Sequence, residues 1–170
     1  PASAHPLLRT KLHAPRRRPT TIPRHRLLLP DDLPRLVLVS APAGFGKSTL
    51  LAESLADDPS RPVAWFSADA SDDDPLRFWS YVVGALRTVA PELGAATLEA
   101  LATGGPDAVP AALVAELDAL DRDALVHDVI LVVDDYHVIT SRDVHDAMGF
   151  LVDHLPDHAH VVLSTRVDPP

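Results

Sequence analysis

The chain has 170 residues, of which 46% are hydrophobic and 23% are charged, a composition typical of one globular domain with a buried core. No apolar run approaches the roughly 20 residues that span a bilayer, and the absence of cysteine excludes disulfides and thiol chemistry. All 24 acidic residues follow residue 26, and such an acidic body repels the DNA backbone. We therefore expect a cytoplasmic protein in which this part binds neither DNA nor membrane.

Residues 1–26 differ in composition from the rest. They carry seven of the fifteen basic residues and no acid, and their prolines leave no helical or strand period. The sequence predicts an extended, basic, Pro-rich arm at 1–26 and a core domain at 27–170. The arm either neutralises the acidic body or contacts nucleic acid or bound phosphates. Because the chain lacks an initiator methionine and ends in Pro169-Pro170, we expect it to be a piece of a longer multidomain protein.

A glycine loop between a strand and a helix is the main functional motif. The apolar run 36–39 predicts a buried strand, residues 50–56 predict a helix, and Ala-Pro-Ala-Gly-Phe-Gly-Lys-Ser-Thr lies between them at 41–49. In such a loop, backbone N–H groups surround phosphates, the lysine reaches the β- and γ-phosphates, and the next hydroxyl binds Mg²⁺. The predicted nucleotide-binding residues are Ala43, Gly44, Phe45, Gly46, Lys47, Ser48 and Thr49, with Ser48 also a metal ligand.

The motif departs from the full pattern at one position. Ala41 stands where the pattern begins with glycine, at a tight turn that tolerates a methyl group. The alternative interpretation is a flexible loop that enters an ordinary helix.

A second strand at 63–67 is followed by the acidic run 69–74. Asp74 before Pro75 predicts a helix start, with the carboxylate capping free N–H groups. The alternative for the acidic run is a role at a metal ion. Apolar and aromatic residues at helical spacing then predict a helix over 76–89 with core aromatics, and a further helix runs from about 107 to 121.

The second functional motif is the apolar run 129–133, which ends in Asp134 and Asp135. A central parallel strand delivers such residues to the ligand edge of the sheet, where Asp134 would hold Mg²⁺ opposite Ser48. Asp135 would orient or deprotonate the attacking water. A strand followed by a simple turn is the alternative.

The last elements are a helix that begins near Ser141 and a strand over 160–166. Arg166 would lie near the γ-phosphate as a catalytic residue, or would be a surface residue at a strand end. His154, His158 and His160 could form a zinc site if the helix continues, but solvated histidines are the preferred interpretation. Parallel strands that alternate with helices predict an α/β class, specifically a three-layer P-loop NTPase sandwich with a mainly parallel sheet.

The combined motifs resemble the nucleotide-binding domain of MalT-like regulators, large ATP-binding members of the LuxR family within the STAND class of signalling NTPases. The resemblance spans nearly the whole chain and rests on Lys11-Leu12, Arg24 and Arg26, residues 41–50, 65–67 with Asp69, Arg77-Phe78 with Tyr81, 134–137 and 163–166.

The resemblance implies a sheet of the additional-strand type, in which the fourth strand lies between the strands of the phosphate loop and of Asp134. It implies a switch that binds ATP or ADP with Mg²⁺ and hydrolyses ATP slowly. It also implies that Arg24 and, less directly, Arg26 lie near the adenine or the phosphates. Expected partners are the nucleotide, other domains of the same full-length chain and further copies of the full-length protein.

Two alternatives of other classes stay open. A small P-loop kinase or NTPase that acts on a metabolite would need an acceptor pocket and an arginine-bearing lid. A nucleotide-free interaction module would use the sheet only as a scaffold.

Overall fold

A computed structural model describes residues 7–16, 27, 29–30, 32–56, 62–120 and 128–170. Strands and helices alternate for most of this length. The strands are β1 (Leu36–Ser40), β2 (Val63–Ser67), β3 (Val129–Asp134) and β4 (Ala159–Thr165). The helices are α1 (Lys47–Ala56), α2 (Pro75–Leu86), α3 (Ala95–Gly104), α4 (Val109–Asp118) and α5 (Arg142–His154).

The four strands form one parallel sheet in the order β1-β4-β3-β2. The α/β class and the parallel sheet are therefore confirmed. The fourth strand lies between the strand that precedes the glycine loop and the strand that ends at Asp134, as the resemblance implies. Because all strands run in one direction, their carboxyl ends lie at the same edge of the sheet.

Helices cover both faces of the sheet. Alternate residues of a strand point to opposite faces. Ile130 and Val132 of β3 pack in a cluster with Leu51 and Leu55 of α1. Leu131, between them, belongs to a larger cluster that includes residues of α2, α4 and α5. This arrangement gives three layers.

The prediction of a buried first strand is only partly right. β1 pairs with β4 and lies at the end of the described sheet. Leu36 and Leu38 are 39% and 40% exposed. Val37 and Val39 pack against the cluster that contains Leu51 and Leu55 of α1, called here the α1-side cluster. An apolar run predicts a strand, but it does not reveal whether a second strand or a helix covers it.

Helix α2 begins as predicted. The Asp74 carboxylate accepts a hydrogen bond from the backbone N–H of Arg77 at 2.9 Å, and Pro75 occupies the first turn. Phe78 and Trp79 are fully buried, so the aromatics are core residues. Helix α3, by contrast, was not predicted, because its sequence has little helical periodicity. The Glu116 side chain of α4 accepts hydrogen bonds from backbone N–H groups at the start of α3.

The N-terminal segment is not extended throughout. Arg9–Leu12 form a 3₁₀ helix, and both Lys11 and Leu12 are buried against the domain. The prediction of an extended arm is wrong for these four residues. Residues 1–6 and 17–26, including Arg24, Arg26 and the predicted domain boundary, lie outside the described residues.

Across the described ranges, no helix combines the length and the apolar character needed to cross a membrane.

Candidate functional site

The glycine loop joins β1 to α1 at the carboxyl edge of the sheet. Gly44 and Gly46 adopt φ angles of 81° and 75°, in the region that favours glycine. A Cβ atom on Gly44 would meet no atom within 4 Å, so the backbone angle rather than crowding requires glycine there. Both glycines thus occupy a backbone conformation that other residues rarely adopt.

Lys47 lies over the loop. Its Nζ donates to the carbonyl oxygens of Ala41 and Pro42 at 2.7 and 3.3 Å, and the residue is only 8% exposed. Ser48 follows in the first turn of α1 and is half-buried, while Ala43, Phe45 and Thr49 are exposed. The ammonium is thus held by neutral oxygen atoms at the start of the loop.

Asp134 is the last residue of β3 and is 4% exposed. One carboxylate oxygen accepts the N–H of Asp135 at 3.0 Å. Asp134 shares its strand face with Val132, which packs against the α1-side cluster. Its side chain therefore faces the layer of the protein that carries Lys47 and Ser48.

Asp135 adopts a left-handed backbone conformation, with φ 59° and ψ 34°. In the described ranges it is the one residue other than glycine with positive φ. Such conformations cost about 1–3 kcal/mol and concentrate at functional sites. The Asp135 side chain is 41% exposed, and its carboxylate lies 3.8 Å from Nδ1 of His137.

His137 lies among the predicted charged site residues. Burial lowers its pKa below 6.5, and the positive charges of Arg166 and Lys47 lower it further, whereas Asp135 and Asp134 oppose this shift. Those four side chains, spread over 120 positions of sequence, thus act electrostatically on one imidazole. The pKa of His137 therefore responds to the charges of Lys47, Asp134, Asp135 and Arg166, and of these Asp135 lies 3.8 Å away.

The end of β4 completes this edge of the sheet. The N–H of Ala41 donates to the Thr165 carbonyl at 3.2 Å, which ties the start of the loop to β4. Ser164 and Thr165 are buried, and Arg166 is exposed just beyond the strand.

The acidic run caps local structure. The Asp69 side chain accepts a hydrogen bond from a backbone N–H at the start of the 3₁₀ helix Ala70–Asp73. Asp74 accepts one at the start of α2. Asp73 accepts from the N–H and hydroxyl of Thr140 and from the N–H of Ser141. The capping interpretation is confirmed. Among the described residues, no group of three or more His, Asp or Glu side chains could hold a metal ion.

The zinc interpretation of the C-terminal histidines finds no support. His154, His158 and His160 contact three different backbone carbonyls, those of Phe150, Leu117 and Pro34, at 2.8, 2.9 and 3.1 Å. The preferred alternative of solvated histidines is wrong for His158 and His160, which are buried.

The sequence did not predict a partly buried ionic cluster centred on Asp72, whose side chain is fully buried. The Nζ atom of Lys11 lies 2.6 Å from carboxylate oxygens of both Asp69 and Asp72, and Arg77 donates to Asp72 at 2.9 Å. Lys11 also lies over the ring of Tyr81, 4.8 Å from its centroid. Lys11, Asp69, Arg77 and Tyr81 are among the residues that carry the resemblance, but Asp72 is not, and no local pattern predicts that these side chains meet.

Comparison with protein-family models gives no match. Comparison with curated proteins gives similarity along nearly the whole chain. The chain is 37% identical over 164 residues to the HTH-type transcriptional regulator MalT of Vibrio campbellii. The alignment covers 95% of this chain and 18% of that protein.

The same-named proteins of Serratia proteamaculans and Yersinia enterocolitica are 37% and 35% identical over 167 and 178 residues. Each alignment covers 96% of this chain and 18% of the relative. The chain therefore spans about a fifth of the length of the curated relatives it matches. It is similar, almost from end to end, to one region of transcriptional regulators named MalT.

Proposed function

We propose that this chain is the nucleotide-binding switch domain of a signal-responsive transcriptional regulator, and that it binds ATP or ADP with Mg²⁺. One observation carries the proposal. Lys47 lies over a glycine loop with two positive φ angles, on the sheet face to which Asp134 also points.

The donor set fits a nucleotide phosphate chain. Backbone N–H groups of the loop would surround the phosphates at the start of α1. Lys47 would exchange the carbonyl oxygens of Ala41 and Pro42 for phosphate oxygens, because hydrogen bonds between two charged groups are stronger than those to neutral carbonyls. Ser48 and Asp134 would hold Mg²⁺, a cation that prefers oxygen ligands.

Hydrolysis would depend on Asp135. Bound Mg-ATP supplies a terminal phosphoryl group that water can attack. The left-handed backbone of Asp135 turns its carboxylate away from the strand toward His137. We infer that Asp135 accepts a proton from the attacking water and that Arg166 offsets charge that develops on the phosphate. The resemblance to signalling NTPases leads us to expect slow turnover.

The names of the relatives support a regulatory role. Proteins of that name are transcriptional regulators, and the matched region is 18% of their length. We propose that nucleotide state controls how this domain contacts other domains of the full-length chain and further copies of it. Arg24 and Arg26 would add contacts to the nucleotide.

Thermal unfolding with nucleotide tests the proposal. Mg-ATP at about 100 times its Kd stabilises a folded protein by about 2.7 kcal/mol. We expect this gain for the wild type and for Arg87→Ala, which removes an exposed cation at the end of α2, but not for Lys47→Ala. No gain with either nucleotide in the wild type would refute nucleotide binding. Rapid phosphate transfer to a small acceptor would favour a metabolite kinase.

A further inference from the structure

The hydroxyl of Ser67, the last residue of β2, is oriented by a buried tryptophan. The indole Nε1 of Trp65 donates a hydrogen bond to the Ser67 Oγ atom at 2.9 Å, and Trp65 is 1% exposed. A hydroxyl can accept and donate at the same time. Among the described residues, the Ser67 hydroxyl has no acceptor for its own proton. The bond from Trp65 therefore fixes the oxygen atom and leaves the proton available to another group.

The strand register places Ser67 beside Asp134. The two residues are Cα partners in β2 and β3, and each is the last residue of its strand. Neighbouring strands lie about 4.8 Å apart. The pairing continues beyond both strands, because the N–H of Ala68 donates to the Asp134 carbonyl at 2.9 Å. The two side chains thus leave the sheet from adjacent, hydrogen-bonded backbone.

Both side chains project from the same face of the sheet. Trp65 and Val132 pack in the α1-side cluster, and Ser67 and Asp134 each follow two residues later. Helix α1 covers this face, and its second residue, Ser48, is the other proposed metal ligand. The Ser67 hydroxyl therefore lies next to the carboxylate that would hold Mg²⁺.

The Asp134 carboxylate has an oxygen atom to offer this hydroxyl. One oxygen accepts the N–H of Asp135 at 3.0 Å, and the other accepts no hydrogen bond from a described residue. A donor without an acceptor and an acceptor without a donor thus occupy paired positions in neighbouring strands.

We propose that Ser67 is a positioning residue for the metal site, and that its Oγ donates a hydrogen bond to the Asp134 carboxylate when that carboxylate holds Mg²⁺. This inference rests on the proposed nucleotide function. Mg²⁺ demands nearly ideal octahedral geometry, so a carboxylate ligand must keep one orientation. The bonds from Trp65 to Ser67 and from Ser67 to Asp134 would connect this orientation to the packed core.

Nucleotide binding with and without the metal tests this role. Loss of a hydrogen-bond partner of a metal ligand lowers metal affinity about 10- to 100-fold. We expect Ser67→Ala to weaken Mg-ATP binding by this factor in calorimetric titrations. With EDTA in place of Mg²⁺, its affinity for ATP should stay within about twofold of the wild-type value.

The metal dependence separates positioning from a purely structural role. In Ser67→Ala the indole N–H of Trp65 loses its acceptor, so the thermal midpoint of the ligand-free protein should fall. That loss does not depend on Mg²⁺. An equal loss of affinity with Mg²⁺ and with EDTA would show that Ser67 only supports Trp65 and would overturn the inference.

Two further variants sharpen the test. Ser67→Cys keeps the shape of the side chain but donates weakly, so its Mg-ATP affinity should also fall, and it replaces the alanine variant if that protein does not fold. Ser40→Ala is the matched control. Ser40 also ends a strand, but it is exposed and alternates with Val39, so it faces away from the α1-side cluster. It should change affinity by less than about twofold in either condition.

The outcomes also separate the inference from the function on which it rests. If the wild type binds Mg-ATP and both Ser67 variants bind it equally well, the inference is wrong and the proposed function stands. If the wild type binds no nucleotide in either condition, both are wrong.

Discussion

Replacing Lys11 by methionine tests whether the N-terminal segment is an integral part of the domain. The ammonium lies 2.6 Å from both Asp69 and Asp72, and Asp72 is fully buried. Although burial opposes it, hydrogen bonds to the two carboxylates raise the pKa of Lys11 above 10.5. Methionine keeps an unbranched apolar side chain and removes the ammonium group, with its charge, its hydrogen bonds and its contact over the Tyr81 ring.

The expected loss of stability follows from the partners that remain. Leaving a buried charge without its partner costs about 3–5 kcal/mol. Here Asp72 would keep the Arg77 guanidinium at 2.9 Å and the Asp69 backbone N–H at 2.8 Å. We therefore expect Lys11→Met to lower the free energy of unfolding by about 2–3 kcal/mol. For a domain of this size, that corresponds to a midpoint about 4–12 °C lower.

Urea unfolding followed by far-UV circular dichroism measures this change. Arg9→Met is the matched control, because Arg9 lies in the same 3₁₀ helix and is exposed; it should change the free energy of unfolding by less than about 0.5 kcal/mol. Adding Asp72→Asn to Lys11→Met should cost less than the sum of the single changes, because the two residues interact directly. Equal effects of Lys11→Met and Arg9→Met would refute the reasoning.

Three further predictions concern the carboxyl edge and the ionic cluster. Asp135→Asn should keep Mg-ATP affinity within about twofold and lower phosphate release at least about 100-fold; unchanged release would exclude Asp135 as the base. Hydrogen bonds from Lys11 and Ser71 lower the pKa of Asp69 from 3.8 to about 2, so its stabilisation is present above about pH 4 and is lost as the pH falls toward 2. Wild type should therefore lose more stability than Lys11→Met between about pH 5 and 2, and parallel pH profiles would contradict this. In a nuclear magnetic resonance titration, His137 should have a pKa below 6.5, because burial and the positive charge of Arg166 disfavour its cation. Arg166→Gln should raise the pKa of His137, and an unchanged pKa in this variant would contradict the prediction.

Local patterns were enough to predict most of the strands and the main motifs. The apolar runs 63–67 and 129–133 form strands because their residues face packed layers on both sides, which is what a continuous apolar run indicates. Gly44 and Gly46 have positive φ angles at the two positions where the loop motif has glycine. The Asp74 cap of α2 was predictable because Asp74 and Arg77, whose N–H it binds, are only three residues apart.

Features that depend on distant partners were not predictable in this way. Lys11 and Asp72 are 61 positions apart. The basic residues near Lys11 would look the same in the sequence whether Lys11 were exposed in an arm or paired with a buried carboxylate. The exposure of Leu36 and Leu38 depends on what lies beside β1, which the strand's own residues do not encode. His158 is buried because α4 supplies a backbone acceptor, the Leu117 carbonyl, 41 positions away.

Calorimetric titration of the chain with Mg-ATP and with Mg-ADP, beside Lys47→Ala, tests the central claim most directly. If Lys47 exchanges its loop carbonyl partners for phosphate oxygens, the wild type binds both nucleotides and the variant loses at least about 10-fold in affinity for each. Omitting Mg²⁺ should weaken ATP binding by the wild type. Equal affinities for the wild type and Lys47→Ala would show that the glycine loop is not where nucleotide binds and would contradict the account.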